Sequence, residues 1–89
     1  MFVIVALDKS GSHEVRAANR QAHLDYADAS GAVVMAGPFL DADGRMTGSL
    51  LILDLPDMAA AEAWAAADPY ARAGLFESVT IRAWKKVRG

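Results

Sequence analysis

The sequence contains no cysteine, no strong excess of either charge and no long hydrophobic run. The lack of cysteine excludes a disulfide framework, a thiolate nucleophile and a thiolate metal site. The net charge is −2, and Lys85, Lys86 and Arg88 form the only basic cluster, so we expect no nucleic-acid binding. No apolar run approaches the roughly 18 residues of a transmembrane helix, so we expect no membrane partner either.

The first apolar run, Phe2–Leu7, lacks the charged segment and small-residue cleavage site of a signal peptide. We therefore expect a cytoplasmic protein. Its 89 residues predict a single domain spanning 1–89. Because a domain this small buries only about 60–65% of its unfolded surface, the 54% of hydrophobic residues exceeds what a monomer needs. This excess indicates a partner surface.

Apolar runs and turn residues predict six main elements. Ser12 and Asp57 stand where N-caps of two helices are expected, and Gly31 is expected to stop the first helix. Asp68 begins a short helical turn, with Pro69 in the first position, where a missing N–H costs nothing. In order, the sequence predicts strand 2–7, helix 13–29, strand 32–36 closed by Gly37-Pro38, strand 48–55, helix 58–67 and strand 76–85.

This β-α-β-β-α-β order predicts an α+β, ferredoxin-like fold: a four-stranded antiparallel sheet with both helices on one face. In a sheet with one solvent-exposed face, apolar and polar residues alternate along each strand. The first three predicted strands are instead apolar on both faces. The other face therefore needs a cover, and we expect a homodimer through this open face. The alternative, that Trp84 and the C-terminal tail fold over it, leaves most of the apolar row unhidden. Trp64 and Trp84 are interpreted as core or interface anchors.

Arg16, Arg20 and His23 follow one another at i, i+4 and i+7, so they share one stripe of the first predicted helix. A histidine with a near-neutral pKa can give and take protons, and the two arginines favour its neutral form and suit an anionic ligand. The alternative is a solvated helix face with three polar residues, which the spacing alone favours. His13 has no partner pattern and is interpreted as a surface or cap residue.

Asp68 has two compatible interpretations. The first is a helix cap, worth on the order of 1 kcal/mol. The second is that one carboxylate oxygen accepts backbone N–H bonds while the other orients an imidazole, which raises the basicity of the far ring nitrogen.

Two glycine-containing pairs, Gly37-Pro38 and Gly48-Ser49, bound the second and third predicted strands. They either make turns or let a ligand approach bare backbone beside the Ser49 hydroxyl. Asp41 and Asp43 begin a sequence similar to a calcium loop, but the bidentate Glu is missing. We therefore expect no metal site.

Several short motifs occur in order along almost the whole chain. They are Arg16-x-x-x-Arg20-x-x-His23-Leu24, Gly31, Ala36-Gly37-Pro38, Thr47-Gly48-Ser49, Ala63-Trp64-Ala65, Asp68-Pro69-Tyr70 with Ala73-Gly74, and Trp84-Lys85-Lys86-Val87. This ordered set resembles the YciI-like, or YCII-related, family of small dimeric α/β-barrel proteins. The resemblance implies a His–Asp dyad at His23 and Asp68, in a family whose relatives include a dehalogenating enzyme acting on chlorinated muconolactones. Some family members carry a longer insertion where this chain has the short 40–46 loop.

We therefore expect a small enzyme of the lyase or isomerase type that needs no cofactor. The residues expected to bind an anionic or lactone-like substrate are Arg16, Arg20, Gly37, Pro38, Ser49 and Tyr70. The alternatives are a dimer that binds a small acid without turnover and a family member that provides only a dimeric scaffold.

Overall fold

The computed structural model describes residues 1–89 as a four-stranded antiparallel sheet with three helices. The strand order is β2-β3-β1-β4, which is the ferredoxin-like arrangement that the sequence predicts. None of the helices combines the length and the hydropathy of a transmembrane segment. The elements are β1 (Phe2–Asp8), α1 (His13–Ser30), β2 (Val33–Leu40), β3 (Met46–Leu53), α2 (Met58–Ala67), α3 (Pro69–Arg72) and β4 (Phe76–Ala83).

The helix ends follow local sequence signals, with one exception. Gly31 ends α1 in the left-handed conformation, with φ at 65°, and Asp57 caps α2 by accepting from Ala60 N at 2.8 Å. Both expectations are confirmed. Ser12 makes no side-chain cap bond, so that expectation is wrong. Its ψ of 20° departs from the extended backbone that directs a capping side chain toward the helix N–H groups.

The strand boundaries differ from the sequence prediction at Gly37-Pro38. Both residues lie inside β2, where Gly37 pairs with Leu50 and Pro38 with Ser49. Since β2 is an edge strand, a proline there removes no hydrogen bond from the sheet interior. β3 correspondingly begins at Met46, before the predicted start, and β4 ends at Ala83, before the predicted Lys85.

The interpretation of Gly48 as a turn or ligand-approach glycine is also wrong. Gly48 lies inside β3, where a Cβ atom would come within 2.6 Å of the Ala6 carbonyl oxygen of β1. The close approach of two backbones therefore requires glycine at this position.

The core lies between the sheet and the helices. Alternate residues of β1, Phe2, Ile4 and Ala6, are buried on this face. Trp64 of α2 packs into the same cluster, and Tyr26 of α1 packs against it. Both long helices thus cover one face of the sheet.

The opposite face, which we call the open sheet face, is apolar and uncovered by the chain. It carries Val3, Val5 and Leu7 of β1 and their partners Leu50 and Ile52 of β3. Along β4, however, this face carries only Ser78, Thr80 and Arg82 opposite β1.

The side chains of this apolar surface are partly or fully exposed, so the chain leaves the surface largely open to solvent. Met35, which is paired with Ile52, is 64% exposed, and Trp84 is 40% exposed. Trp84 only borders a groove on this face, and residues 84–89 are all exposed. The alternative that the C-terminal tail covers the open sheet face is therefore wrong.

Candidate active site

A cleft of about 230 Å³ lies between α1 and the β2–β3 edge of the sheet. The fold brings together here residues from four elements that are far apart in sequence. Asp68 lies behind the cleft, in contact with His23. The other predicted site residues line the cleft: Arg16, Arg20, His23, Gly37, Pro38, Ser49 and Tyr70.

His23 and Asp68 form a buried hydrogen-bonded pair. His23 Nδ1 lies 2.8 Å from Asp68 Oδ1, and the two residues are only 8% and 2% exposed. The same oxygen, Oδ1, accepts from Tyr70 N at 3.0 Å. The expectation that the two carboxylate oxygens share these tasks is therefore wrong. One oxygen has two lone pairs and serves both donors.

The pairing sets the position of the proton on neutral His23. Because Asp68 Oδ1 is an acceptor, the ring donates through Nδ1–H, and Nε2 carries the free lone pair. Nε2 has no hydrogen-bond partner in the chain, and it is not among the polar atoms buried without a partner. The basic nitrogen of the ring is therefore accessible beside the cleft.

Tyr70 packs between His23 and Arg16. Its ring stacks on the imidazole, with centroids 4.1 Å apart and an interplanar angle of 13°, and Arg16 Cζ lies 4.7 Å from its centroid. Burial raises the pKa of Tyr70, although Arg16 and Arg20 act in the opposite direction. The hydroxyl therefore stays protonated at neutral pH and can donate a hydrogen bond.

Arg16 is held by two side chains. Its Nε and Nη2 donate to the Asp8 carboxylate at 2.7 Å and 3.1 Å, and Nη2 also donates to Ser49 Oγ at 2.9 Å. Burial opposes the charge, but the hydrogen bonds and the charge of Asp8 outweigh it and raise the pKa of Arg16. Arg16 is 6% exposed, so the solvated-face interpretation is wrong for Arg16 and His23.

The sequence predicts no role for Asp8, which lies directly after the predicted strand 2–7 and is the last residue of β1. The available signal was a lone carboxylate directly after six apolar residues of a buried strand. A charge in that position requires a partner.

Arg20 differs from Arg16 although both lie on the same stripe of α1. It lines the cleft, is exposed and makes no salt bridge or side-chain hydrogen bond. Arg20 thus provides a free cation at the mouth of the cleft.

The acidic residues of the β2–β3 turn serve that turn. Asp41 Oδ1 accepts from the backbone N–H groups of Asp43 and Arg45, and the Arg45 bond in particular lowers the pKa of Asp41. No group of three His, Cys, Asp or Glu side chains is placed to hold a metal ion.

Comparison with known proteins is consistent with this architecture. The family model of the YCII-related domain matches residues 1–85. Protein YciI of Escherichia coli O6:H1 is 38% identical, with 98% of each chain covered. An uncharacterized protein of Haemophilus influenzae is 35% identical, with 97% of each chain covered.

Two solved structures are similar as well. The 5-chloro-2-hydroxyhydroquinone dehydrochlorinase TftG of Burkholderia phenoliruptrix AC1100, in complex with 2,5-dihydroxybenzoquinone, has a TM-score of 0.88. It is 34% identical, over 94% of this chain and 92% of that chain. An antibiotic biosynthesis monooxygenase has a TM-score of 0.61 at 14% identity, over 99% and 100% of the chains, and shows the fold alone.

These likenesses confirm the predicted fold class, a ferredoxin-like domain of the dimeric α/β-barrel type. As the ordered motifs predict, the chain belongs to the YCII-related domain family.

Proposed function

We propose that this chain is a cofactor-independent enzyme of the lyase or isomerase type, with His23 as the general base and Asp68 as the residue that orients it. The observation that carries the proposal is the buried 2.8 Å bond between His23 Nδ1 and Asp68, which leaves Nε2 free beside a cleft. A base placed in this way contributes typically about 10²–10⁴-fold to a rate.

The cleft favours a small, anionic substrate. Its volume is about 230 Å³, Arg20 supplies an uncommitted positive charge, and Ser49 and Tyr70 line the same space. The similarity to TftG, which is named as a dehydrochlorinase and holds a quinone, supports chlorinated hydroxyquinols as the first compounds to test. Lactones form the second class.

The reaction we propose is an elimination or an isomerisation that begins with proton abstraction next to a carbonyl. His23 Nε2 takes the proton, and the electron pair of the broken bond moves toward the carbonyl oxygen as an enolate. In an elimination the carbonyl re-forms from the enolate, a C=C bond forms to the chlorinated carbon, and chloride leaves with the electron pair of the C–Cl bond. A chlorinated hydroxyquinol is an aromatic triol without a carbonyl, so it enters this step through a keto tautomer whose chlorinated carbon is tetrahedral, and His23 Nε2 then takes the enol O–H proton. The net change is loss of HCl, so no oxidant or reductant is required.

The experiment measures chloride release by ion chromatography. The substrates are 5-chloro-2-hydroxyhydroquinone and a panel of chlorinated lactones. We expect turnover that His23→Ala lowers at least about 10²-fold. Turnover at the native rate in His23→Ala contradicts the proposed base. Saturable binding of these compounds without turnover instead supports the ligand-binding dimer.

We further propose that two copies pair through the open sheet face. The exposed apolar row on β1, β2 and β3 supports this, because a stable interface buries about 800 Å² per partner around an apolar centre. Sedimentation at micromolar concentration is expected to give the mass of two chains, and the mass of one chain contradicts the proposal. The cytoplasmic location stays a prediction.

A further inference from the structure

Ser49 is a buried hydroxyl on β3 with only one hydrogen bond to the chain. Its Oγ accepts from Arg16 Nη2 at 2.9 Å, while its own O–H donates to no group of the protein. A serine hydroxyl has one donor hydrogen and two acceptor lone pairs. The bond from Arg16 occupies a lone pair and leaves the hydrogen for a ligand in the cleft, which Ser49 lines.

Arg16 is fixed in the orientation that this bond requires. Asp8 accepts from both Nε and Nη2, so the plane of the guanidinium cannot rotate without breaking two charge-assisted bonds. The Tyr70 ring lies against the guanidinium at 4.7 Å. The position of the Ser49 hydroxyl is thus set by Asp8, which lies at the end of β1, two residues beyond Ala6, the strand partner of Ser49.

We propose that Asp8, Arg16 and Ser49 form a relay in which Ser49 touches the ligand and donates to its oxyanion, while Asp8 and Arg16 are positioning residues. The inference rests on the proposed function, because the oxyanion is the enolate formed when His23 takes a proton. A hydroxyl that accepts from a cation is a stronger donor, and losing one oxyanion donor costs typically about 10²–10³-fold in kcat.

A mutant cycle on ligand affinity tests the relay, with 2,5-dihydroxybenzoquinone, an acidic hydroxyquinone, as the probe and calorimetry as the readout. Asp8→Asn and Arg16→Gln are made together, so that no unpaired charge remains buried. We expect Ser49→Ala to weaken binding about 10-fold and the Asp8/Arg16 pair to weaken it by up to that factor. The triple variant should bind no more weakly than Ser49→Ala alone.

Ser49→Thr keeps the hydroxyl and is expected to bind the quinone within about 3-fold of the wild type. Loss of binding equal to that of Ser49→Ala contradicts a donor role. Denaturant unfolding of each variant ensures that only folded protein enters the comparison.

Arg20 provides the matched comparison, because it lies one turn from Arg16, lines the same cleft and has no partner. Arg20→Gln combined with Ser49→Ala should multiply the two effects. Arg72→Gln, which removes an exposed charge outside the cleft, should leave the affinity unchanged.

Two results overturn the relay. If the effects of the Asp8/Arg16 pair and Ser49→Ala multiply, Arg16 touches the ligand itself. If the wild type does not bind the quinone at millimolar concentration, Ser49 is not an oxyanion donor for this class. Both results differ from the one that contradicts His23 as the general base, which is turnover at the native rate in His23→Ala.

Discussion

Asp68→Asn separates the two tasks that one carboxylate oxygen performs. Asparagine keeps the shape of the side chain, and its carbonyl oxygen can still accept from Tyr70 N, as Asp68 Oδ1 does at 3.0 Å. Asn and Asp are about equally good N-caps, so the free energy of unfolding should change by less than about 1 kcal/mol. What the substitution removes is the negative charge beside His23.

The size of the catalytic effect follows from the geometry of this pair. His23 Nδ1 and Asp68 Oδ1 lie 2.8 Å apart. As a reference for such a pair, two unit charges about 4 Å apart interact by about 4 kcal/mol at an effective dielectric constant of about 20. This energy stabilises the imidazolium that forms when Nε2 takes a proton. Losing it raises the barrier by a similar amount and lowers kcat by about 10³-fold.

The assay is chloride release by Asp68→Asn, and Asp57→Asn is the matched control. Asp57 caps α2 in the same way but has no histidine partner, so kcat should not change. Nitrogen NMR of neutral wild-type His23 should place its proton on Nδ1. A kcat of Asp68→Asn within tenfold of the wild type, or a proton on Nε2, would refute the reasoning.

Three further predictions concern stability and assembly. Since burial raises the pKa of Tyr70 above 10.0, the unfolded chain ionises first as pH rises. The folded state therefore loses stability from about pH 10 up to the pKa of Tyr70 in the folded protein. Tyr70→Phe removes this effect, so the urea midpoint should fall less between about pH 9 and about pH 11 than it does in the wild type. Gly48→Ala forces Cβ against the Ala6 carbonyl and should lower the free energy of unfolding in urea by about 1–3 kcal/mol. Gly37→Ala is the control: a Cβ atom there meets no atom within 4 Å, so the free energy of unfolding should fall by less than about 1 kcal/mol. If two copies pair as proposed, Ile52→Asp on the open sheet face should give the mass of one chain in sedimentation. A dimer that persists in this variant would exclude this face as the interface.

Local signals in the sequence were enough to place the helices and the caps at Asp57 and Asp68. A cap depends on the residue itself and on backbone groups two or three positions away, so its physics is visible in a short window. The same holds for Gly31, which ends α1. By contrast, local sequence cannot show that β2 is an edge strand, so the sequence predicts a strand end at Pro38.

The residues that line the cleft could be named from the sequence and the family resemblance, but Asp8 and its contact with Arg16 could not. The spacing of Arg16, Arg20 and His23 correctly indicated one helix face, yet it could not show which of the arginines is buried. That difference depends on Asp8 and Ser49, which approach Arg16 only through the pairing of β1 with β3. The His23–Asp68 contact spans 45 positions and was expected on family resemblance alone.

The burial of the Asp8–Arg16 pair supports the proposed positioning role of these two residues. In a small domain, two charges taken out of water cost several kcal/mol each, and apolar replacements of such pairs are often neutral or stabilising. Arg16 could instead have remained in water, as Arg20 does one turn away on the same helix. The chain instead buries one of two arginines on the same helix face and directs it at the Ser49 hydroxyl, which agrees with the proposed role of Ser49 as a hydrogen-bond donor to a ligand.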